Sequence, residues 1–444
     1  MQTRQFAADQ AAALAEAFQA RTATVGILGM GYVGFPLACA VDKAGYHVRG
    51  FDVDPSKVER LTSGNTYLGH MTDEPFAALA ASERFKATSS VEDLAECDVL
   101  ILCVPTPLDA AGEPDLSFVT ASTQSVASVL RPGMLVVLES TTWPGTTREV
   151  MQPILEATGL RCGEDFFLAY SPERENPADA HFETASIPKV VGGVDDTATN
   201  LAASLYGSIV CEVVPVATAE VAEASKIVEN VYRCVNIALV NELKVVFEKM
   251  GIDVWDVIKA SATKPFGFQP FWPGPGLGGH CIPIDPFYLS WRARQCGTEA
   301  KFIELAGEIN TTMPSLVVER TLEEAAQGPS GDRRVLVIGV AYKPNVSDTR
   351  ETPAATIIEQ LQSQGCDVSY HDPHCPRFPS MRKYEIDLAS VPLDASTVRD
   401  ADVVLIVTDH DAIDWSVIAD NASVIVDTRN AMDGHETAGR VVKA

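Results

Sequence analysis

Positive charge is scarce in this chain: 34 lysines and arginines stand against 60 aspartates and glutamates, a net charge of −26. Nucleic acids and anionic membranes are bound through basic surfaces, so both are excluded as partners. No apolar run approaches the roughly 18 residues that a spanning helix needs. The opening stretch, MQTRQFAADQAAALAEAFQA, carries Asp9 and Glu16 and lacks the apolar segment of a signal peptide; it reads as a short amphipathic helix. The 10 cysteines include no CxxC pair and no compact disulfide spacing, so a reducing cytoplasm is expected. Cys39, Cys103, Cys234 and Cys366 lie in apolar stretches and are expected to be buried. With 46% hydrophobic and 21% charged residues over 444 positions, the composition is globular and the length suits two or three domains.

The chain repeats itself. TATVGILGMGYVG is an apolar strand (24–28) running into Gly29, Gly31 and Gly34. A helix to about Lys43 follows, and HVRGFDVD brings a second strand to Asp52. RRVLVIGVAYK (333–343) restarts the pattern, with a helix from Pro353 to about Gln364, Thr352 as its N-cap and Gly365 just beyond its end. CDVSYHD then ends at Asp372. DVLILCV at 98 is echoed by DVVLIVT at 402. Gly29 to Asp52 spans 23 positions and Gly339 to Asp372 spans 33, the surplus falling in the loop KPNVSDTRE. Strands alternating with helices give two Rossmann-like, doubly wound parallel sheets, an α/β fold. Residues 219–250 lack both proline and glycine and read as one long central helix joining the halves. The expected regions are a helical extension (1–21), a dinucleotide-binding domain (22–212), a central helical region (213–325) and a second Rossmann-like domain (326–444).

In the first half the G-x-G-x-x-G lies between a strand and a helix, with Asp52 at the next strand end. Gly29 suits the tight turn, Gly31 the approach of a pyrophosphate, and Gly34 the packing of helix on strand. Asp52 suits the two hydroxyls of an adenosine ribose and would repel a 2′-phosphate, so NAD is expected over NADP. The second half has only Gly339 at its turn and offers Lys343, Arg350 and Arg429 instead. These suit a different anion, or serve as structural salt bridges. HDPHC (371–375) carries metal-ligand types, but its Asp372 fills the same strand-end slot as Asp52, so no metal is expected.

Cys281 differs from the other cysteines, since it follows P-G-P-G-L-G-G-H and precedes Asp285 by four residues. Thiols in loops rich in backbone donors are the ones that ionise readily. Lys226 and Asn230, four apart on the central helix, share a face. A thiol, a cation and a carboxylate beside a dinucleotide suggest oxidation of an alcohol to an acid. An ordinary two-electron dehydrogenase with an incidental cysteine fits these residues as well.

GMGYVG (29–34), DVDPSKV (52–58), VPTP (104–107), YSPER (170–174), AEASKIVENVYRCVNIALVNE (222–242), GLGGHCIPID (276–285) and YKPNVSDTRETP (342–353) stand in that order. By these blocks the chain resembles the UDP-glucose/GDP-mannose dehydrogenase family from about residue 22 to 435. The resemblance implies an NAD-dependent, four-electron oxidation of a nucleotide-sugar C6 alcohol to a carboxylate, and a homodimer formed through the central helix. It makes Cys281 the nucleophile that passes through a thiohemiacetal and a thioester, and Lys226 and Asn230 the stabilisers of oxyanions. Asp285 and Glu173 become the carboxylates for water and protons, with Thr142 at the boundary of cofactor and substrate. Tyr32, Val33, Lys57, Pro105, Thr106 and Arg350 join the glycines and Asp52 as implied cofactor contacts. Arg174, Phe271, Gly278, Lys343 and Arg429 join Glu173, Lys226 and Asn230 as implied substrate contacts.

Two positions depart from the glucose-specific pattern. Pro177 stands where a carboxylate is common, and TKPFGFQPF (263–271) offers only Lys264 where many relatives have an arginine serving the partner subunit. YSPER, SIPKVVGG and TKPFGF with GLGGHCIPIDP resemble most the branch that acts on UDP-N-acetylhexosamines, a branch that also holds UDP- and dTDP-glucose enzymes. The remaining alternatives are a two-electron hydroxyacid-type dehydrogenase and a non-catalytic nucleotide-sugar sensor.

Overall fold

Short β-branched runs build two sheets. In the computed structural model, residues 2–69, 71–109, 111–174, 184–279, 281–327, 333–379, 381 and 383–444 are described. The first sheet contains β1 (Thr24–Leu28), β2 (His47–Phe51), β3 (Phe85–Thr88), β4 (Val99–Leu102), β5 (Leu135–Leu138), β6 (Phe167–Tyr170), β7 (Lys189–Gly193) and β8 (Val213–Pro215). Its order is β3-β2-β1-β4-β5-β6-β7-β8. All neighbours are parallel except β6 and β7, which are antiparallel; the sheet is otherwise the doubly wound parallel one expected. β9 (Arg334–Ile338), β10 (Asp367–His371), β11 (Val403–Ile406), β12 (Val424–Asp427) and β13 (Arg440–Lys443) form the second sheet, in the order β10-β9-β11-β12-β13. Both begin with the strand order of a dinucleotide-binding fold, in which ligands sit at the carboxyl ends of the strands.

Successive residues of these strands belong to different cores. Val25 and Ile27 pack on one face of the first sheet with Val99 and Ile101, while Leu28, Leu100 and Leu102 pack on the other. Both faces are covered, which is why the strands read as unbroken apolar runs instead of alternating ones. The N-terminal helix, Gln2–Ala20, contributes Leu14 and Phe18 to the first core. Of the four cysteines expected inside, Cys103, Cys234 and Cys366 are buried and Cys39 is half-buried.

The repeat extends to individual hydrogen bonds. Gly29 N donates to Phe51 O at 2.8 Å, and Gly339 N to His371 O at 2.8 Å. Thr24 N and Arg334 N each donate at 2.9 Å to a carboxylate beginning the next parallel strand, Asp98 and Asp402. The chain separates into two compact units, Met1–Glu229 with Phe287–Thr298 and Asn230–Pro286 with Glu299–Ala444. The long helix, Ala219–Lys249, passes from one to the other and is on the order of 50 Å long at 1.5 Å per residue. Among the described residues no helix is long and apolar enough to cross a membrane.

Candidate active site

In the first unit the glycine turn meets its steric requirements at the expected positions. Gly29 has a φ of +93°, and a Cβ there would lie 2.4 Å from the Cys103 carbonyl oxygen. At Gly34 a Cβ would stand 1.9 Å from Gly29 O, whereas at Gly31 it would meet nothing within 4 Å. Two glycines are therefore demanded by packing, and the third leaves open space beside the start of the helix Gly34–Lys43. No side chain caps that helix start, so its first amides suit an anion.

Asp52 is buried and more occupied than the sequence suggested. Its Oδ2 accepts from Met30 N and from Lys57 Nζ, each at 3.1 Å, and its Oδ1 accepts from Asp54 N at 3.0 Å. A carboxylate accepts about four hydrogen bonds, so Asp52 keeps little more than one lone pair for a ribose hydroxyl, with Lys57 beside it. Tyr32 and Val33 are half-buried next to the glycines; beyond β4, Pro105 is exposed and Thr106 half-buried.

Thr142 follows β5 and is fully buried. Its hydroxyl has no hydrogen-bond partner among the described residues, nor does the Trp143 indole nitrogen. Sequence reading missed what holds this turn. Glu223, buried on the long helix, accepts from Thr147 N at 2.8 Å and from the Thr147 hydroxyl at 2.6 Å, and also from Gly145 N. Burial pushes the Glu223 carboxyl up to about 7 against those donors. Its position within the block AEASKIVENVYR (222–233) was the available signal.

One helical turn after Glu223 comes Lys226. Its ammonium pairs with Glu173 Oε2 at 3.1 Å, both side chains being buried. The segment carrying Glu173 is braced from below: Ser171 Oγ donates to Val190 O at 2.9 Å, and Lys189 reaches Pro172 O at 3.5 Å and pairs with buried Glu139 at 2.9 Å. Arg174 directs its guanidinium to Pro188 O, at 2.9 Å, and to Glu229. Pro177 lies outside the described residues.

The second unit gathers the thiol residue with two of its expected companions. Cys281 is half-buried, and its carbonyl accepts from Asp285 N at 2.7 Å and Ile284 N at 3.1 Å. It thus stands one turn ahead of the helix Asp285–Gln295. Asn230 Nδ2 donates to the buried Asp285 carboxylate at 2.6 Å. The preceding glycines lie on the 342–352 loop: Gly279 N donates to Arg350 O at 2.9 Å, and a Cβ on Gly278 would come within 2.6 Å of Tyr342 Cβ. Burial raises the thiols of Cys39, Cys97, Cys162 and Cys375 to about 12 and that of Cys103 further. Those thiols stay neutral at physiological pH.

The three cations of the second half have separate surroundings. Arg350 is tied to Asp348 in its own loop, Nε lying 3.0 Å from both carboxylate oxygens. Arg429 donates from Nε to Val407 O at 2.8 Å, and no carboxylate among the described residues lies within ion-pair distance of it. Lys343 Nζ is 5.7 Å from the Tyr342 ring centroid. Phe271 is half-buried, edge-on to Tyr232 with centroids 5.6 Å apart, and Lys264 is exposed. Asp372 accepts from Val340 N (2.7 Å), His410 Nε2 (3.0 Å) and His374 N (2.8 Å). Its carboxyl is raised by burial, but these bonds outweigh that and hold it near 2. His410 Nδ1 accepts from Asn345 N at 2.9 Å, which leaves Nε2 as the donor to Asp372. The HDPHC aspartate is therefore consumed by the fold.

A glycine cradle open at Gly31 and a cysteine loop seated on a second nucleotide-type sheet define a dinucleotide-dependent oxidoreductase of two Rossmann-like units. Family models of the UDP-glucose/GDP-mannose dehydrogenases match throughout: the NAD binding domain over residues 23–210, the central domain over 220–312 and the UDP binding domain over 336–434. The chain belongs to this family and is an NAD-dependent nucleotide-sugar dehydrogenase. It is 37% identical to the UDP-N-acetyl-D-glucosamine 6-dehydrogenase of Pseudomonas aeruginosa, across 83% of this chain and 87% of that protein. The solved UDP-D-ManNAc dehydrogenase of Pyrococcus horikoshii matches with a TM-score of 0.83 and 32% identity, covering 94% of this chain and 98% of the other. A UDP-glucose dehydrogenase from Pyrobaculum islandicum gives 0.82 and 26%, over 95% and 97%. The open space at Gly31 and the uncapped helix start beside it fit the NAD that this family's N-terminal domain binds.

Proposed function

We propose that the enzyme oxidises C6 of a UDP-N-acetylhexosamine from alcohol to carboxylate, through a covalent intermediate on Cys281. Bound NAD supplies a hydride acceptor, and two are consumed per sugar. The carrying observation is the placement of Cys281 one turn before buried Asp285, which Asn230 holds at 2.6 Å. Loss of a hydride and a proton from the C6 alcohol leaves an aldehyde. The Cys281 sulfur adds to it, forming a C–S bond and a thiohemiacetal oxygen. Loss of a second hydride and proton gives a thioester, which water cleaves to the carboxylate and the free thiol. Lys226 and Asn230 stabilise charge on the C6 oxygen through these steps. Asp285 and Glu173 take up and return the protons of alcohol and water.

The hexosamine reading rests on likeness to the Pseudomonas and Pyrococcus enzymes. It is tested by turnover on UDP-N-acetylglucosamine, UDP-N-acetylmannosamine, UDP-glucose, dTDP-glucose and GDP-mannose. Two NADH per sugar oxidised are expected from the wild type, with no uronate released by Cys281→Ser. One NADH per sugar and a fully active Cys281→Ser would instead indicate a two-electron dehydrogenase, and binding without turnover a sensor.

We further propose a homodimer seamed by the long helix. Val221, Val228, Tyr232, Leu239 and Val246 are all exposed, and at 100° per residue they fall on one narrow stripe. Sedimentation velocity should give twice the chain mass; a single-chain mass refutes it. Ten free cysteines suit a reducing cytoplasm.

A further inference from the structure

Lys244 lies on the long helix, is 8% exposed, and makes no hydrogen bond or ion pair with any described residue. A buried ammonium without a partner costs stability, a cost that an anionic ligand would offset. The surroundings point to that ligand. Asn241, three residues earlier on the same face, accepts from Gly274 N at 2.9 Å and donates to Asn310 Oδ1 at 2.9 Å. Asn310 in turn donates to Cys234 O at 3.1 Å, which ties the helix Lys301–Ala325 to the long helix. On its other side Gly274 abuts Arg429: a Cβ there would lie 2.6 Å from Nη1. Arg429 and Asn241 thus meet the same glycine, with Lys244 one helical turn beyond Asn241; burial first, and the nearby Arg429 charge, lower the Lys244 ammonium to about 8 against the pull of Glu248.

The acidic groups nearby are largely engaged or disfavoured. Glu248 pairs with Arg320. Asp427 accepts from Arg429 N and Met432 N, both at 2.9 Å. Burial raises the Asp409 carboxyl, while the nearby Arg429 charge lowers it. Lys244 and Arg429 are left as two cations with no ion-pair partner among the described residues, inside a chain of net charge −26.

We propose that Lys244 is a substrate-binding residue which, with Arg429, clasps the diphosphate of the nucleotide sugar. This rests on the reading of the chain as a nucleotide-sugar dehydrogenase and extends it to a lysine outside the matched UDP binding domain (336–434). Diphosphate oxygens take charge-assisted bonds from an ammonium and a guanidinium together. The dinucleotide also carries a diphosphate, so the test separates the two sources.

The full chain is titrated calorimetrically with UDP, uridine and ADP-ribose as wild type, Lys244→Met and Lys244→Arg. We expect Lys244→Met to bind UDP about tenfold or more weakly, with uridine and ADP-ribose unchanged. Lys244→Arg should recover part of the loss, and the ligand-free Tm of Lys244→Met should equal or exceed that of the wild type. Lys244→Gln, also neutral, is measured if the methionine variant does not fold. Wild-type affinity for UDP in the neutral variants overturns the proposal, as does weakening confined to ADP-ribose. If the wild type itself binds no UDP, the nucleotide-sugar reading falls with it. If the wild type binds UDP and turns over while Lys244→Met is unaltered, only the role of Lys244 falls.

Discussion

The Lys226 ammonium and the Glu173 carboxylate meet at 3.1 Å with side chains only 7% and 10% exposed. One residue stands in the middle of a helix and the other in a loop beyond β6, 53 positions apart. Buried so deeply, neither charge has water to fall back on.

Breaking the pair from one side should therefore cost more than removing it whole. Lys226→Met leaves Glu173 uncompensated and is expected to lose about 3–5 kcal/mol of stability. The double variant Lys226→Met with Glu173→Leu should regain most of that. Turnover should fall by about 10²–10³ in the single variant, as for loss of an oxyanion donor, and further in the double, which also lacks Glu173 for proton transfer. Denaturant midpoints and kcat give the comparison; a double variant as unstable as the single one would refute the pairing argument.

The two glycines after Gly29 should respond oppositely to one methyl group. Gly31→Ala meets nothing within 4 Å, so its Tm should match the wild type while the KM for NAD rises about tenfold or more. Gly34→Ala places the methyl 1.9 Å from a backbone oxygen and should cost about 3 kcal/mol or more through overpacking. Equal Tm losses, or an unchanged KM in Gly31→Ala, would contradict the assignment.

Glu223 should give stability a slope near neutrality. Its carboxyl is raised by burial to about 7 from an ordinary 4.5. The folded protein therefore holds this proton more tightly than the unfolded chain does. The contribution is complete below about 4.5 and is lost as pH rises through about 7, to the order of 3 kcal/mol. Glu223→Gln lacks that proton, so its loss of stability between pH 5 and 7.5 should be smaller than the wild type's. Parallel pH profiles for the two proteins would rule the effect out.

The strands β1, β2, β4, β9, β10 and β11, the glycine turn and the second-half helix with its Thr352 cap were legible, because each follows from local sterics and apolar periodicity. The matched slots of Asp52 and Asp372 were legible too, since a carboxylate one residue past a strand end meets the amide after the neighbouring glycine in both halves. Illegible were the antiparallel pairing of β6 with β7 and the extent to which Asp52 is already engaged. The same holds for Glu223, which looks like any helical glutamate until Gly145 and Thr147 arrive beside it.

By itself the sequence determined two nucleotide-type sheets, a long helix and one cysteine set apart by its glycines. Those features are encoded within a few residues of where they act. Only the tertiary structure decided which charge answers which. Lys226 and Asn230 share a helix face four residues apart, yet one is answered by Glu173 and the other by Asp285. Lys244, further along the same helix, has no answering group among the described residues. Charge pairing depends on distances between segments remote along the chain, and chain folding alone sets those distances.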